Sequence, residues 1–444
     1  MKIPRLTSSL ISVAFAALFV MTLVSPYLNS SGHGIRNSWA VYSLWLMSIF
    51  FWKRGALNKT FIEMKRRKYE VILLLSWLMV VMLNAVLARG YTWDLHLFSM
   101  LTMSMVIFMQ LSYSAQHDGS DDVLLMAVIV FIGLEVLRSI PTLWSQPALA
   151  RIVMGVAATP EMIAEAGAAS VGQYGYYAGL AIILPVIVTR AIVSSGSKAI
   201  MLWITAAAIA FAITIATFMG AILLMILGLA ILSIFHIKYA KSKIKTLASY
   251  GALVAVFFVT FMALLGDMEQ VSYIADKATK QFSGIKEYGI KEGDVTERSD
   301  VWEMSFNTIL ENPLFGVGPV TNRKNPFLST LVGGHSSWLD QIAEYGILGF
   351  GFYILFIVLL IRRLIKSFMH EKNLSDLKIC YLGQLVSCCL FILGGIYNPV
   401  VVITEVFVLF YFMTYSGASS FRGGMNTSGA VLYMSPSKDR SIRT

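Results

Sequence analysis

Long apolar runs recur along the chain and are separated by shorter polar segments. A helix that crosses a membrane needs about 20 consecutive, mostly apolar residues. Runs of roughly this length predict an all-α, polytopic integral membrane protein. The twelve predicted spans are 9–26, 37–52, 70–88, 95–114, 122–139, 172–189, 199–217, 219–236, 248–265, 345–361, 378–395 and 398–416.

Composition supports a membrane protein. Hydrophobic residues make up 57% of the 444 positions and charged residues only 14%, with a mean hydropathy of +0.70. A soluble domain carries about 25% charged residues. All three cysteines, Cys380, Cys388 and Cys389, fall in one apolar run without a nearby His or acidic partner. Neither a disulfide framework nor a metal site is therefore expected.

Basic residues set the predicted orientation, because cytoplasmic loops carry an excess of Lys and Arg. If the N-terminus is cytoplasmic, most of the 35 Lys and Arg residues fall on the inner side, including the runs at 53–68 and 362–372. An even number of spans then places both termini inside, with 417–444 as a cytoplasmic tail. The net charge of +10 thus reflects membrane topology and not nucleic-acid binding.

Two outer segments are long. Residues 1–265 hold nine predicted spans with an outer segment at 140–171, and a larger outer loop at 266–343 precedes the last three spans within 344–416. Acidic residues outnumber basic ones in the larger loop, which suits a water-exposed cap. Long loops with structure of their own are usually functional, so candidate chemistry is expected there.

A short amphipathic helix is predicted within 297–319. Asp300 and Glu303 resemble a capping box at its start, and Asn312-Pro313 ends it. Arg298 would then lie just outside the helix N-terminus, where a guanidinium and free N–H groups could bind a phosphate. The alternative is that Arg298 pairs with a neighbouring carboxylate on a solvated surface.

A second helix is predicted to start near Trp338, capped by Ser336 or Ser337 after the glycine pair 333–334. The positive potential of a helix N-terminus favours a neutral imidazole, so His335 could accept a proton from a hydroxyl as general base. The alternative is a surface or structural histidine.

These stretches, taken in order, resemble the signature region of the bacterial O-antigen ligase and polymerase superfamily. "RSDVWEMSFNTILENPLFGVGP" and "GGHSSWLDQIAEYGILGF" contain an Arg-x-x-x-Trp helix, Asn-Pro-x-x-Gly-x-Gly, and a His followed by Gly-x-x-Gly. The resemblance is close over 298–350. It implies a GT-C-like fold with a large helical periplasmic loop, placed in the bacterial inner (cytoplasmic) membrane.

Two further stretches resemble the polymerase branch more than the lipid A-core ligase branch. The segment 150–185 contains a Gly-Gln-Tyr-Gly turn around Tyr174, and "HSSWLD" (335–340) differs from the His-Asn-x-Tyr-Leu pattern of many ligases. The resemblance therefore favours polymerisation of oligosaccharide repeat units. Transfer of a finished glycan to lipid A-core or to protein remains the alternative.

The resemblance implies a glycosyltransferase with no cofactor and no metal, whose donor and acceptor are glycans linked to undecaprenyl (polyprenyl) diphosphate in the membrane lipid. His335 would be the base, and Arg298 would bind the diphosphate. A chain-length regulator and a flippase would be partners. Asp300 and Asp340 leave a double displacement open. A third possibility is a transporter or flippase without catalysis, which should carry charges inside its spans. Such charges are few here, with Glu135 and Glu405 the clearest, and this disfavours transport.

One departure from the superfamily pattern concerns a second cation. Many members carry Ser-Arg-Gly between the seventh and eighth spans, whereas this chain has Phe218-Met219-Gly220. Another basic residue must then serve, and Arg151 is the first choice, with Arg138, Arg323 and Lys324 as further candidates. The candidates for substrate binding are Arg151, Tyr174, Arg323 and Lys324.

Overall fold

The computed structural model describes ten stretches of the chain and a few single positions. The stretches are 5–27, 67–87, 120–146, 149–152, 159–216, 218–239, 294–318, 336–371, 376–397 and 404–416. Within these described stretches the secondary structure is helical, with no strand. The prediction of an all-α protein is confirmed.

The described helices are numbered here in chain order. They are α1 (Arg5–Val24), α2 (Lys68–Leu87), α3 (Ser120–Ser145), α4 (Leu149–Ile152), α5 (Pro160–Ala168), α6 (Tyr174–Val193), α7 (Gly196–Ile215), α8 (Met219–Tyr239), α9 (Asp294–Glu311), α10 (Ser337–His370), α11 (Asp376–Tyr397) and α12 (Thr404–Ser416).

Nine of the predicted spans coincide with helices of the described part, namely α1, α2, α3, α6, α7, α8, α10, α11 and α12. The other three, 37–52, 95–114 and 248–265, fall almost wholly outside the described residues. Six helices of the described part (α3, α6, α7, α8, α10 and α11) are long and apolar enough to cross a membrane. The chain is therefore a multi-pass membrane protein, while the total of twelve spans stays a prediction.

Helix α6 is the centre of the bundle, and almost all of its 20 residues are buried. It packs against α7, α8, α11 and α12. Glycines allow the close approach: a Cβ on Gly383 of α11 would overlap Thr189, and one on Gly228 of α8 would lie 2.6 Å from Leu390. Small residues at helix contacts are how membrane helices gain packing energy.

Helices α2 and α10 run antiparallel and are joined at both ends. At one end Glu70 and Arg363 form an ion pair of 2.7 Å. At the other end the Asn84 amide donates to the carbonyl oxygens of Phe315, at 3.0 Å, and Glu344, at 3.3 Å. These two contacts fix how far α10 can slide or tilt along α2.

The beginning of α10 and the beginning of α6 lie at the same end of the bundle. The N-terminal part of α11 contacts the C-terminal half of α6 through Gly383 and Thr189, so these helices are antiparallel. The far end of α11 holds Trp338, whose indole N–H donates to the carbonyl of Ile392 at 2.9 Å. We call this the Ser336 end, after the residue that caps α10.

Candidate functional site

Helix α9 ends at Glu311, directly before Asn312-Pro313, as predicted. Its start differs from the prediction. The helix begins at Asp294, so Arg298 lies in its second turn and not just outside its N-terminus. The predicted position of Arg298 outside the helix is therefore wrong. Asp294 and Glu297 place acidic residues in the first turn, where the helix dipole favours them, and this moves the start upstream.

The first turn of α10 agrees with the prediction. Ser336 is the N-cap residue, with an extended backbone (φ −145°, ψ 111°), and its hydroxyl accepts a bond of 3.5 Å from the N–H of Leu339. The helix itself begins at Ser337. His335, Arg323 and Lys324 lie outside the described residues, so their roles stay predictions.

The carboxylate of Asp340 connects α9 to this first turn. One oxygen accepts from the Ser305 hydroxyl at 3.1 Å, and the other accepts from the backbone N–H of Ser336 at 3.3 Å. All three residues are buried. That N–H belongs to the peptide bond that follows His335. The site where α10 begins is therefore held against α9, which carries Arg298 seven residues before Ser305, about two helical turns.

A break at Gly346 divides α10 into two helical segments. Gly346 has φ 67° and ψ 179°, a region that is essentially limited to glycine. A break of this kind frees backbone groups that water cannot reach inside a membrane protein. It falls beside the predicted boundary, at 343/344, between the outer loop and the tenth span.

The turn that follows α9 satisfies the freed groups. The N–H groups of Ile347 and Leu348 donate to the carbonyls of Pro313 and Leu314 at 2.8 and 3.3 Å. In return the N–H groups of Val317 and Gly318 donate to the carbonyls of Ala343 and Glu344, at 3.0 and 2.9 Å respectively. The Asn-Pro-x-x-Gly-x-Gly pattern is thus the segment that closes the gap in α10.

Glycine is required at two points of this contact. Gly316 has φ 70°, and a Cβ there would overlap the backbone of Glu344. A Cβ on Gly346 would overlap the carbonyl of Leu314. The two backbones approach closely because neither residue has a side chain.

Trp338 anchors the first turn of α10 to α11. Its ring meets Phe391 edge-on at 6.4 Å, in addition to the hydrogen bond to Ile392. Gly395 lies under the indole, where a Cβ would come within 2.7 Å of the ring. Trp338, two positions after the Ser336 cap, therefore holds the start of α10 against α11, in addition to the contact with α9 through Asp340.

The candidates in and beside the outer segment at 140–171 lie at the same end. Arg151 is in the short helix α4. Tyr174 is the first residue of α6, and its buried ring meets Phe218 edge-on at 5.3 Å. Phe218 directly precedes Met219, the position where many superfamily members carry arginine. Tyr174 is thus part of the packed interior beside that position.

Glu135 and Tyr176 are two buried polar residues that the predicted site did not include. The Glu135 side chain is buried inside α3, and its Oε2 atom has no hydrogen-bond partner among the described residues. The sequence signal that could have identified Glu135 is a glutamate within a long apolar run.

No group of three or more His, Cys, Asp or Glu side chains in the described part of the chain could hold a metal ion. Of the cysteines, Cys380 and Cys388 are buried and Cys389 is exposed. The first two therefore lie in the packed interior and the third on the outer surface of the bundle.

A family model described as O-antigen ligase matches residues 180–354. The matched region begins inside α6 and ends in α10, so it contains α9, the turn after it and the Ser336 cap. It does not include Arg151 or Tyr174. No curated protein matches the chain.

Proposed function

We propose that the chain, whose residues 180–354 match a family model described as O-antigen ligase, is a member of the bacterial O-antigen ligase and polymerase superfamily. Its proposed activity is to polymerise oligosaccharide repeat units linked to undecaprenyl diphosphate at the periplasmic face. An acceptor sugar hydroxyl attacks the anomeric carbon of the donor. The anomeric C–O bond to the diphosphate breaks, and the diphosphate leaves with the carrier lipid. The proton of the hydroxyl passes to a base, so no co-reactant is needed.

His335 is the proposed base, and Arg298 is the proposed counter-charge for the leaving diphosphate. The single observation that carries this proposal is the Asp340 carboxylate. It bonds both the peptide that follows His335 and, through Ser305, the helix that carries Arg298. Through this carboxylate, the residue after His335 and the helix that carries Arg298 share one buried connection.

The start of α10 can add positive potential to the same place. The N–H groups of the first helical turn have no partner within the helix, and such groups favour anions. The Ser336 hydroxyl accepts from the N–H of Leu339 and so marks where this terminus begins. Arg298 and this terminus together would supply the charge compensation that other transferases obtain from a metal ion.

Asp340 is proposed as a positioning residue and not as a nucleophile. Both of its oxygens already accept hydrogen bonds from the protein. A double displacement through Asp340 would require breaking both bonds. A direct displacement, which inverts the anomeric centre, is therefore the favoured course.

Arg151 is proposed to provide the second cation that Met219 cannot provide, with Arg323 and Lys324 as further substrate contacts. Support for Arg151 comes from its placement in α4, in the segment between α3 and α6. Tyr174 supports this region by packing against Phe218.

The proposed roles are tested by His335→Ala and Arg298→Ala. Both variants should insert and fold but form no polymer. His370→Ala and Arg362→Ala are matched controls, because both residues are exposed near the opposite end of α10. The controls should make normal polymer. Full-length polymer from either site variant would contradict the assignment.

The ligase alternative is favoured by the description of the matched family, O-antigen ligase. Deletion of the gene separates the two reactions. Single repeat units on the lipid core indicate loss of a polymerase. Long polymer that stays on the carrier lipid, or is missing from a protein acceptor, indicates loss of a ligase.

A further inference from the structure

An exposed apolar surface follows α9 and the turn after it. Its members are large side chains with more than half of their surface uncovered: Phe306 (53%), Leu310 (65%), Leu314 (58%) and Phe315 (60%). Phe306 and Leu310 are four residues apart and therefore adjacent on the helix. Exposed apolar patches of this kind mark a binding surface. We call these four residues the α9 apolar face.

Helix α9 has three distinct faces. Ser305 and Thr308 are buried towards α10. The polar residues Asn307 and Glu311 are exposed on another side. The α9 apolar face lies between them. The outer surface of α9 is therefore apolar on one side and polar on the other. This division suits a helix that contacts both lipid and water.

The α9 apolar face is continuous with the lipid-facing surface of α10. The N–H groups of Ile347 and Leu348 bond directly to the carbonyls of Pro313 and Leu314. Ile347 is itself 55% exposed and belongs to a helix that can cross a membrane. The exposed side of such a helix contacts lipid. Leu314 and Phe315 therefore lie at the edge of that lipid contact.

We propose that α9 lies on the outer surface of the membrane, with Phe306, Leu310, Leu314 and Phe315 in the lipid. The partner is the bilayer itself, in the manner of an interfacial amphipathic helix. Asn307 and Glu311 then face water. This inference requires that α10 crosses the membrane with its Ser336 end on the outer side, and it is independent of the reaction proposed above.

Fluorescent labelling tests this placement in the full-length protein. Cys380, Cys388 and Cys389 are replaced by alanine, and one new cysteine is introduced at a time. Leu310→Cys and Leu314→Cys probe the α9 apolar face, and Asn307→Cys and Glu311→Cys are controls on the same helix. Each variant carries an environment-sensitive dye. It is reconstituted in nanodiscs of phosphatidylethanolamine and phosphatidylglycerol, with or without lipids that bear a nitroxide near the headgroup.

The expected result is several-fold stronger quenching by nitroxide lipid at 310 and 314 than at 307 and 311, with the reverse order for aqueous iodide. Equal iodide quenching at all four positions would overturn the proposal. A dye at 310 that neither quencher reaches, together with cross-linking between copies at that position, would show that a second copy covers the surface, and would overturn it too. Two positions on each face guard against one poorly folded variant.

Discussion

The hydroxyl of Ser305 donates a hydrogen bond of 3.1 Å to the carboxylate of Asp340, and both groups are buried between α9 and α10. The same carboxylate accepts from the N–H of Ser336. A buried carboxylate is stable only when it is well bonded, so the two donors and the acceptor depend on each other. The geometry of the helix start after His335 depends on this group.

Asp340→Asn should weaken this connection, and Asp340→Ala should weaken it further. Asparagine keeps one accepting oxygen and places an NH2 group against a donor, while alanine removes both acceptors. A hydrogen bond to a charged group contributes about 1.5–3 kcal/mol. Both variants should therefore unfold at a lower temperature and form less polymer. Thermal unfolding in detergent and polymer length on gels measure the two effects.

The matched control for Asp340 is Glu311→Gln, because Glu311 is exposed on α9. It should match the parent protein in both measurements. If Asp340→Asn abolished activity while thermal stability stayed unchanged, Asp340 would act on the substrate directly and the positioning role would be wrong.

Gly346→Ala should destabilise the protein strongly. The backbone at this position is limited to glycine, and the new Cβ would overlap the Leu314 carbonyl. A backbone in a sparsely allowed region costs about 1–3 kcal/mol before any overlap is counted. The control is Gly351→Ala in the same helix, where nothing lies within 4 Å of the Cβ. That change should raise stability, by up to about 1 kcal/mol of helix propensity. Equal melting temperatures for the two variants would contradict the structure around Gly346.

Asn84→Asp should be more harmful than Asn84→Ala. The Asn84 amide donates to two backbone carbonyls, those of Phe315 and Glu344. Aspartate would direct a negative oxygen at both carbonyls, whereas alanine only leaves them without this donor, which costs about 1–3 kcal/mol. Thermal unfolding gives the order. Asn307→Asp, the same exchange at an exposed position, should change little. An aspartate variant as stable as the parent would show that this contact does not form.

Local sequence signals predicted the parts of the site that depend on neighbours in the chain. Asn312-Pro313 ended α9 and Ser336 capped α10, as expected, because a proline and a serine act within one helical turn. The start of α9 was misplaced because two acid-containing turns, at Asp294 and at Asp300, offer similar signals. Rules that use only neighbouring residues could not decide at which of the two turns the helix begins.

Contacts between distant residues were not predictable from the pattern. Residues 312–318 close a break in α10, and Asn84 reaches across more than 200 residues of sequence to bind there. The Asn-Pro-x-x-Gly-x-Gly motif identified residues 312–318 as part of the superfamily pattern. The spacing of apolar residues carries no information about which backbone groups of other helices this turn contacts. The ion pair between Glu70 and Arg363 was missed for the same reason.

Glu135→Gln separates the enzyme from the transporter. Glu135 is buried in α3, and its Oε2 atom has no hydrogen-bond partner among the described residues. A neutral amide is less costly to bury than a carboxylate, so melting temperature should stay equal or rise. If the protein is the proposed transferase, polymer formation should continue, because the proposed chemistry depends on His335 and Arg298.

Glu70→Gln is the matched control: it removes the 2.7 Å ion pair with Arg363 and should lower the melting temperature. Loss of polymer in a fully stable Glu135→Gln variant would instead favour transport, since ionisable groups inside spans serve ion and proton pathways.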